Sequence, residues 1–208
     1  MIYNEHDLQA ALKANRSWLI VQLLIVFGVT IVLSAIISRW VARPMTLAFH
    51  DSLTGLKNRA AFDEALAAVL GENRGTTALI DLDNFKAVND NQGHAKGDHL
   101  LQCTAQSIRT IARKEDITIR WGGDEFVLIM PATSKQEAEE SAKSIIAAIK
   151  KMSEREFAPA GGQISVSIGI SLAPEHGVDP EMLCKRADIA LYASKEKGKD
   201  QYRFYSGE

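Results

Sequence analysis

Twenty consecutive residues, Trp18 to Ile37, read WLIVQLLIVFGVTIVLSAII and carry no charge. At 1.5 Å rise per residue, about 20 apolar residues cover the hydrocarbon core of a bilayer. A buried helix of a small soluble domain normally shows a polar stripe, and here only Gln22, Thr30 and Ser34 interrupt the run. The run is also longer than a typical signal-peptide core, follows an acidic amphipathic stretch, and leads into no convincing small-residue cleavage site. These features favour a membrane anchor over a signal peptide, a buried helix or a coiled coil.

The expected organisation is a short N-terminal segment over 1–17, a transmembrane helix over 18–38, a linker over 39–50 containing Pro44, and a domain over 51–208. Lys13 and Arg16 precede the span, whereas Arg39, Arg43, Lys57 and Arg59 follow it. That bias places the domain in the cytoplasm, on a single-pass protein of the inner (cytoplasmic) membrane. The segment before the span is too short to hold a core of its own.

Charge excludes one broad function class. With 24 Lys and Arg against 26 Asp and Glu, the net charge is −2, so no global attraction to a polyanion exists and no nucleic-acid partner is expected. Cys103 and Cys184 are too few for a disulfide framework and lack CxxC spacing or a neighbouring His pair for zinc. They are expected as reduced core thiols.

Beyond residue 50 the periodicities alternate. Arg59 to Leu70 reads as a helix, and Thr76 to Asp81 as a short buried strand after Gly75. Gly97 to Lys114 carries Leu100, Leu101, Thr104, Ile108 and Ile111 at helical spacing. Ile117 to Trp121 and Phe126 to Met130 are β-favouring runs, with Gly122-Gly123 between them as the two-residue hairpin turn. Ser134 to Met152 presents Ala138, Ala142, Ile145 and Ile149 on one helical face. From Gln163 to Ser171, Ile164, Val166, Ile168 and Ile170 alternate with Ser165, Ser167, Gly169 and Ser171, which predicts a strand buried on one face. Asp179 and Pro180 cap a helix running to Gly198, and Tyr202 to Tyr205 forms a last strand. The order β, α, β, β, α, β, α, β implies an α+β fold, a mixed sheet flanked by helices of the ferredoxin-like type.

Carboxylates gather where strands end. Asp81 and Asp83 leave the first strand, and Asp124 and Glu125 begin the return strand of the hairpin. Any one of them alone is an ordinary solvated turn acid. If the hairpin lies beside the first strand, however, two or three converge at one end of the sheet, a hard oxygen set suited to Mg²⁺ or Mn²⁺ with a nucleotide phosphate. Phosphoryl transfer needs that chemistry: cations neutralise phosphate oxygens and acidify an attacking hydroxyl, and a carboxylate takes its proton.

Trp121-Gly122-Gly123-Asp124-Glu125-Phe126 resembles the signature of the GGDEF family of diguanylate cyclases. Asp51-Ser52-Leu53-Thr54-Gly55-Leu56-Lys57-Asn58-Arg59 is similar to that family's opening turn, and Asp81-Leu82-Asp83-Asn84-Phe85-Lys86-Ala87-Val88-Asn89-Asp90, Gly93-His94 and Gly97-Asp98 keep its spacing. The resemblance runs on through Ala187-Asp188 and Leu191 to Lys195 and covers Asp51 to about Tyr205. It implies a fold like a nucleotide cyclase or polymerase palm, and a homodimer whose half-sites each hold one GTP and together make cyclic di-GMP and two pyrophosphates.

Residue by residue, the resemblance implies Asp81 and Asp124 as metal ligands with the Leu82 backbone carbonyl. Glu125 becomes a metal-side carboxylate or the base for the 3′-hydroxyl; Asp124 and Glu125 both stand as catalytic candidates, since coupled carboxylates share their titration. Asn89 and Asp98 fall at guanine-reading positions, with His94 in the same substrate-facing loop. Lys86, counted among the catalytic residues, and Lys195 match phosphate-contacting positions, where a cation offsets charge on the leaving pyrophosphate. Lys199 stands where the family more often has Arg, so a phosphate contact there is a point charge rather than a fork. Asp200 replaces a usual Asn. Arg113 and Asp116 match the R-x-x-D inhibitory site, which implies feedback by cyclic di-GMP. A noncatalytic membrane-tethered receptor acting through protein partners is the competing reading, and the intact Asp81, Asp124 and Glu125 argue against it.

Overall fold

A computed structural model of the chain describes residues 5–70, 75–157 and 164–207. The chain divides into two compact units, Met1–Leu47 and Ala48–Glu208. Helix α1 spans Glu5–Phe49. Within it Trp18–Ser38 is long and apolar enough to cross a membrane, and its large side chains are open, Trp18 at 68% and Phe27 at 66% exposure. The expected linker is therefore helical up to Phe49, Pro44 included. Residues 1–4 of the expected N-terminal segment lie outside the described residues.

The second unit is built on a six-stranded sheet in the order β1-β3-β4-β2-β5-β6. Its strands are β1 (Lys57–Asn58), β2 (Gly75–Asp83), β3 (Ile117–Gly122), β4 (Glu125–Pro131), β5 (Ser165–Ala173) and β6 (Gln201–Phe204). Pairing is antiparallel among β3, β4, β2 and β5, with β1 and β6 added in parallel at the edges. The inner four strands, with their crossovers, reproduce the expected ferredoxin-like order. The helices are α2 (Phe62–Leu70, after a 3₁₀ turn at Arg59–Ala61), α3 (Phe85–Gln92), α4 (His94–Ile111), α5 (Lys135–Glu156) and α6 (Pro180–Glu196).

Two apolar layers hold the sheet between helices. On one face Ile80, Leu82, Phe126, Leu128, Val166 and Ile168 pack with Leu100, Ile108, Ala142, Ile145 and Ile149 of α4 and α5. On the other, Leu79, Ile119, Val127 and Ile129 meet Phe62 and Leu66 of α2 and Ala187 and Leu191 of α6. Local chemistry starts α5 and α6: a Ser134/Glu137 capping box opens α5, and the Asp179 carboxylate accepts from the Met182 N–H ahead of Pro180 in α6.

Four expectations change. Helix α3 was not anticipated. Helix α4 begins three residues before Gly97 and stops at Ile111, so Arg113 to Asp116 lie in the following loop. The hairpin's two-residue loop is Gly123-Asp124, because Gly122 still pairs with Glu125 across a register shift after Arg120; only Gly123 of the two glycines has a left-handed φ, +47°. Strand β5 is buried on both faces, not one: Ser165, Ser167 and Ser171 find buried acceptors, and Gly169 lies under α6. Gln163, expected at the start of this strand, lies outside the described residues.

Candidate active site

The β2/β4 register sets Asp81 directly opposite Glu125, and the Leu82 N–H donates to the Asp124 carbonyl at 3.2 Å. The hairpin thus docks beside the first strand, as the convergence argument required. From α6, one layer away, Lys195 Nζ reaches Asp81 Oδ2 at 2.8 Å. Burial pushes the Asp81 carboxyl above the usual range, with Asp124 and Asp83 adding to it against the pull of Lys195. Glu125 is raised in the same way, first by burial and then by Asp81 and Asp124.

Asp83 stands on the same strand face two residues on, but it does different work. It is 2% exposed, accepts from the Ser165 and Ser167 hydroxyls at 2.7 and 2.8 Å, and accepts from the Asp200 N–H at 3.2 Å. Both of its oxygens are hydrogen-bonded, and it ties β2 to β5 and to the turn before β6.

The hairpin turn is held from outside by a residue that sequence reasoning did not single out. Arg120 donates from Nη2 and Nε to the Gly123 carbonyl at 2.8 and 3.2 Å, and from Nη1 to both Asp51 oxygens at 3.1 and 3.2 Å. Asp51 in turn accepts from the Thr54 hydroxyl and N–H at 2.6 and 2.8 Å. The opening turn is therefore a clamp on the loop that carries Asp124. Trp121, beside it, packs edge-on against Phe62 at 4.7 Å with the Arg59 guanidinium over its ring.

The expected guanine-reading residues lie on α3 and α4. A Cβ at Gly97 would sit 2.0 Å from Asn89 Oδ1, so the absence of a side chain there lets Asn89 lie against the α4 backbone one residue before Asp98. Asp98 lies within the first turns of α4, and His94 is the helix's first residue. Lys86, His94 and Asp98 are exposed, with no side-chain hydrogen bond or ion pair among the described residues. Lys199, in a left-handed turn after α6, donates to Asn84 Oδ1 at 3.1 Å.

Arg113 and Asp116 meet each other. The guanidinium bonds Asp116 at 2.9 and 3.1 Å and also reaches the Pro131 carbonyl and the Thr133 hydroxyl, while the Asp116 carboxylate accepts from the Arg113 N–H at 2.8 Å. Arg113 stays 37% exposed and Asp116 2%. The pair lines a separate surface cavity of about 500 Å³ with Lys57 and Arg109.

Asp81, Asp124 and Glu125 crowd three acids against one ammonium, and burial first, then like charge, raises Asp81 and Glu125. A divalent cation relieves that repulsion, and an all-oxygen donor set fits Mg²⁺ or Mn²⁺ rather than a thiophilic metal.

Residues 48–201 match the family model described as diguanylate cyclase, GGDEF domain. The chain is 38% identical over 184 residues to the bifunctional diguanylate cyclase/cyclic di-GMP phosphodiesterase MucR of Pseudomonas aeruginosa, covering 85% of this chain and 26% of MucR. It is 41% identical over 167 residues to the diguanylate cyclase TpbB of the same organism, covering 75% of this chain and 37% of TpbB. It therefore spans only about a quarter of MucR and somewhat over a third of TpbB. The crystal structure of the coiled coil and GGDEF domain of DgcB from Caulobacter crescentus in complex with c-di-GMP superposes with a TM-score of 0.76 at 28% identity, covering 86% of this chain and 96% of that one.

Proposed function

This chain belongs to the GGDEF family of diguanylate cyclases, and we propose on that premise that it condenses two GTP into cyclic di-GMP and two pyrophosphates. The observation that carries the reading is the β2/β4 register, which sets Asp81 against Glu125 with Asp124 in the adjoining turn and Lys195 on Asp81. In this reading Asp81, Asp124 and the Leu82 carbonyl hold Mg²⁺, which when bound supplies charge neutralisation at the phosphates. The Asp124 and Glu125 carboxylates receive the proton of the attacking 3′-hydroxyl. Lys195 and Lys86, with Lys199 near the turn after α6, bind phosphate oxygens and stabilise the pyrophosphate as it leaves. Asn89 and Asp98 orient guanine through its ring carbonyl and exocyclic amine, with His94 beside them.

Each 3′-oxygen attacks the α-phosphorus of the other nucleotide, so two half-sites must face each other and a homodimer is required. The proposed span at 18–38 and linker at 39–50 tether the domain to the cytoplasmic face of the inner membrane and supply dimer contacts. Arg113 and Asp116 form the proposed product site, already aligned by their mutual bonds.

The test uses the full chain in detergent, with GTP and Mg²⁺, nucleotides resolved chromatographically, and Asp124→Ala as control. Cyclic di-GMP from the parent and none from the control is the expected result. A folded, dimeric parent that makes no product yet binds cyclic di-GMP tightly replaces the enzyme with the receptor reading.

A further inference from the structure

A second cluster of ligand atoms lies away from the carboxylate site, in the groove between α4 and α5. His99 and Cys103 are one helical turn apart on α4, and Glu156 closes the last turn of α5. His99 Nε2 lies 3.2 Å from Glu156 Oε2, Cys103 Sγ lies 3.6 Å from His99 Nε2, and Cys103 Sγ lies 3.4 Å from Glu156 Oε2. One nitrogen, one sulfur and one oxygen thus form a closed triangle, from residues 53 and 57 positions apart in sequence.

The edges of that triangle carry information. For tetrahedral angles and bonds of about 2.3 Å to sulfur, about 2.05 Å to imidazole nitrogen and about 2.0 Å to carboxylate oxygen, the separations become about 3.6 Å (S to N), about 3.5 Å (S to O) and about 3.3 Å (N to O). The three observed distances fall within about 0.1 Å of those edges. A Mg²⁺ site is excluded by the thiol and the imidazole, because hard cations take oxygen. A cavity of about 510 Å³ opens beside the three residues, leaving room for water or a small ligand in a fourth position.

We propose that His99, Cys103 and Glu156 bind a zinc-class divalent cation that staples α4 to α5, with a solvent-accessible fourth coordination position. The donors are preset rather than assembled by the ion. The second Glu156 oxygen is paired with Arg155, its backbone carbonyl accepts from Lys96 Nζ at 3.2 Å, and the His99 ring lies 5.7 Å from Phe157. Entry of the ion replaces the thiol proton, which passes to solvent, and leaves the thiolate and a neutral imidazole as ligands. The site joins α4 immediately after Asp98, so it links a different chemistry to the helix that carries the proposed guanine contact. It stands independently of the cyclase reading, since nothing in the argument uses GTP.

Co²⁺ is the probe, because thiolate ligation gives a charge-transfer band and tetrahedral geometry gives intense visible bands, and neither arises from a carboxylate site. The full chain in detergent, stripped with chelator and kept reduced in excess Mg²⁺, should bind one Co²⁺ per chain with both features, and Zn²⁺ should displace it. Cys103→Ala should abolish the charge-transfer band. His99→Ala, at an exposed position, and Glu156→Gln should each weaken Co²⁺ by at least about 100-fold, the upper end of what losing even an outer partner of a metal costs. Cys184→Ala should retain the full spectrum. A parent without the charge-transfer band, or a Cys103→Ala protein that keeps it, overturns the proposal.

Discussion

Replacing Gly169 by alanine should be the most damaging one-carbon change in the domain. A Cβ there would lie 2.1 Å from the Ala187 carbonyl oxygen, 2.2 Å from the Leu191 nitrogen and 2.7 Å from Leu191 Cα. All three are backbone atoms of α6, so no side chain can swing aside. A carbon-to-carbonyl contact settles at about 3.3–3.6 Å, which requires α6 to lift from β5 by about 1.2 Å or more. A gap of about 0.5–1 Å already forfeits a quarter to a half of each dispersion contact, and the lost contacts are those of Leu183, Ala187, Ala190 and Leu191, all buried on the sheet. Overpacking commonly costs 1–3 kcal/mol; with helix backbone as the obstacle the cost belongs at the top of that range, about 3 kcal/mol. For a domain of this size that is a fall in Tm of about 6–12 °C. Turnover assayed below the melting point shows whether the lift also disturbs the Lys195–Asp81 contact, 2.8 Å in the parent. Scanning calorimetry of the detergent-solubilised full chain, parent against Gly169→Ala, measures the first effect. A loss of under about 2 °C would refute the reasoning, because it would mean that α6 and β5 tolerate a methyl group where the geometry leaves no room.

Further predictions concern the site. Lys195→Met removes the ammonium that faces Asp81 and should slow pyrophosphate release about 100-fold, as loss of a preorganised charge contact does; an unchanged steady-state rate would remove Lys195 from the mechanism. Arg113→Ala deletes the guanidinium that is bonded to Asp116 and Thr133, and the product concentration giving half inhibition should rise about 10- to 100-fold, equivalent to one or two charged hydrogen bonds. Equal inhibition of variant and parent in initial-rate assays with added cyclic di-GMP would contradict that role. Asp51 is depressed despite its burial, which opposes the shift, because Thr54 and Arg120 stabilise the carboxylate. Its contribution is therefore present in full above its unfolded pKa of about 3.9 and disappears as pH falls through the lower folded value. The Tm difference between parent and Asp51→Asn should accordingly be widest near neutrality and close in strong acid; a gap that widens on acidification would reverse the sign and defeat the assignment.

The sheet and its carboxylate end were legible because both rest on short-range patterns: apolar runs with turn residues between them, and acids at the last strand positions. The misread elements share a different cause. Helix α3 buries only Val88, so Phe85 to Gln92 offers no apolar stripe from which to infer a helix. Strand β5 was read as half-exposed because serine normally marks a solvent face, yet each of its serines meets a buried partner contributed by β2 or α6, which no local pattern contains. Arg120 escaped for the same reason: its carboxylate partner is 69 residues away, and its acceptor is a backbone carbonyl with no side-chain identity to read. The bulge after Arg120 moved the turn by one residue and put Asp124, rather than a second glycine, into the loop.

Asp81 and Asp83 show how the fold assigns different roles to identical side chains. They share one face of β2, toward α6, two positions apart, and both are buried. A buried carboxylate must be hydrogen-bonded or charge-paired, or it gives up its charge. Asp83 receives two hydroxyls and an N–H, so its lone pairs are occupied by groups of β5 and of the turn before β6. Asp81 receives one ammonium from a flexible side chain and faces two further acids, so its charge is only partly compensated. The β2/β5 register sets Ser165 across from Asp83 and Ser167 across from Asp81, yet the Ser167 hydroxyl donates diagonally to Asp83 at 2.8 Å and leaves Asp81 to Lys195. The donors each acid receives, more than residue type or register, therefore separate the chemically available carboxylate from the structural one, and strand-end acids alone could nominate both.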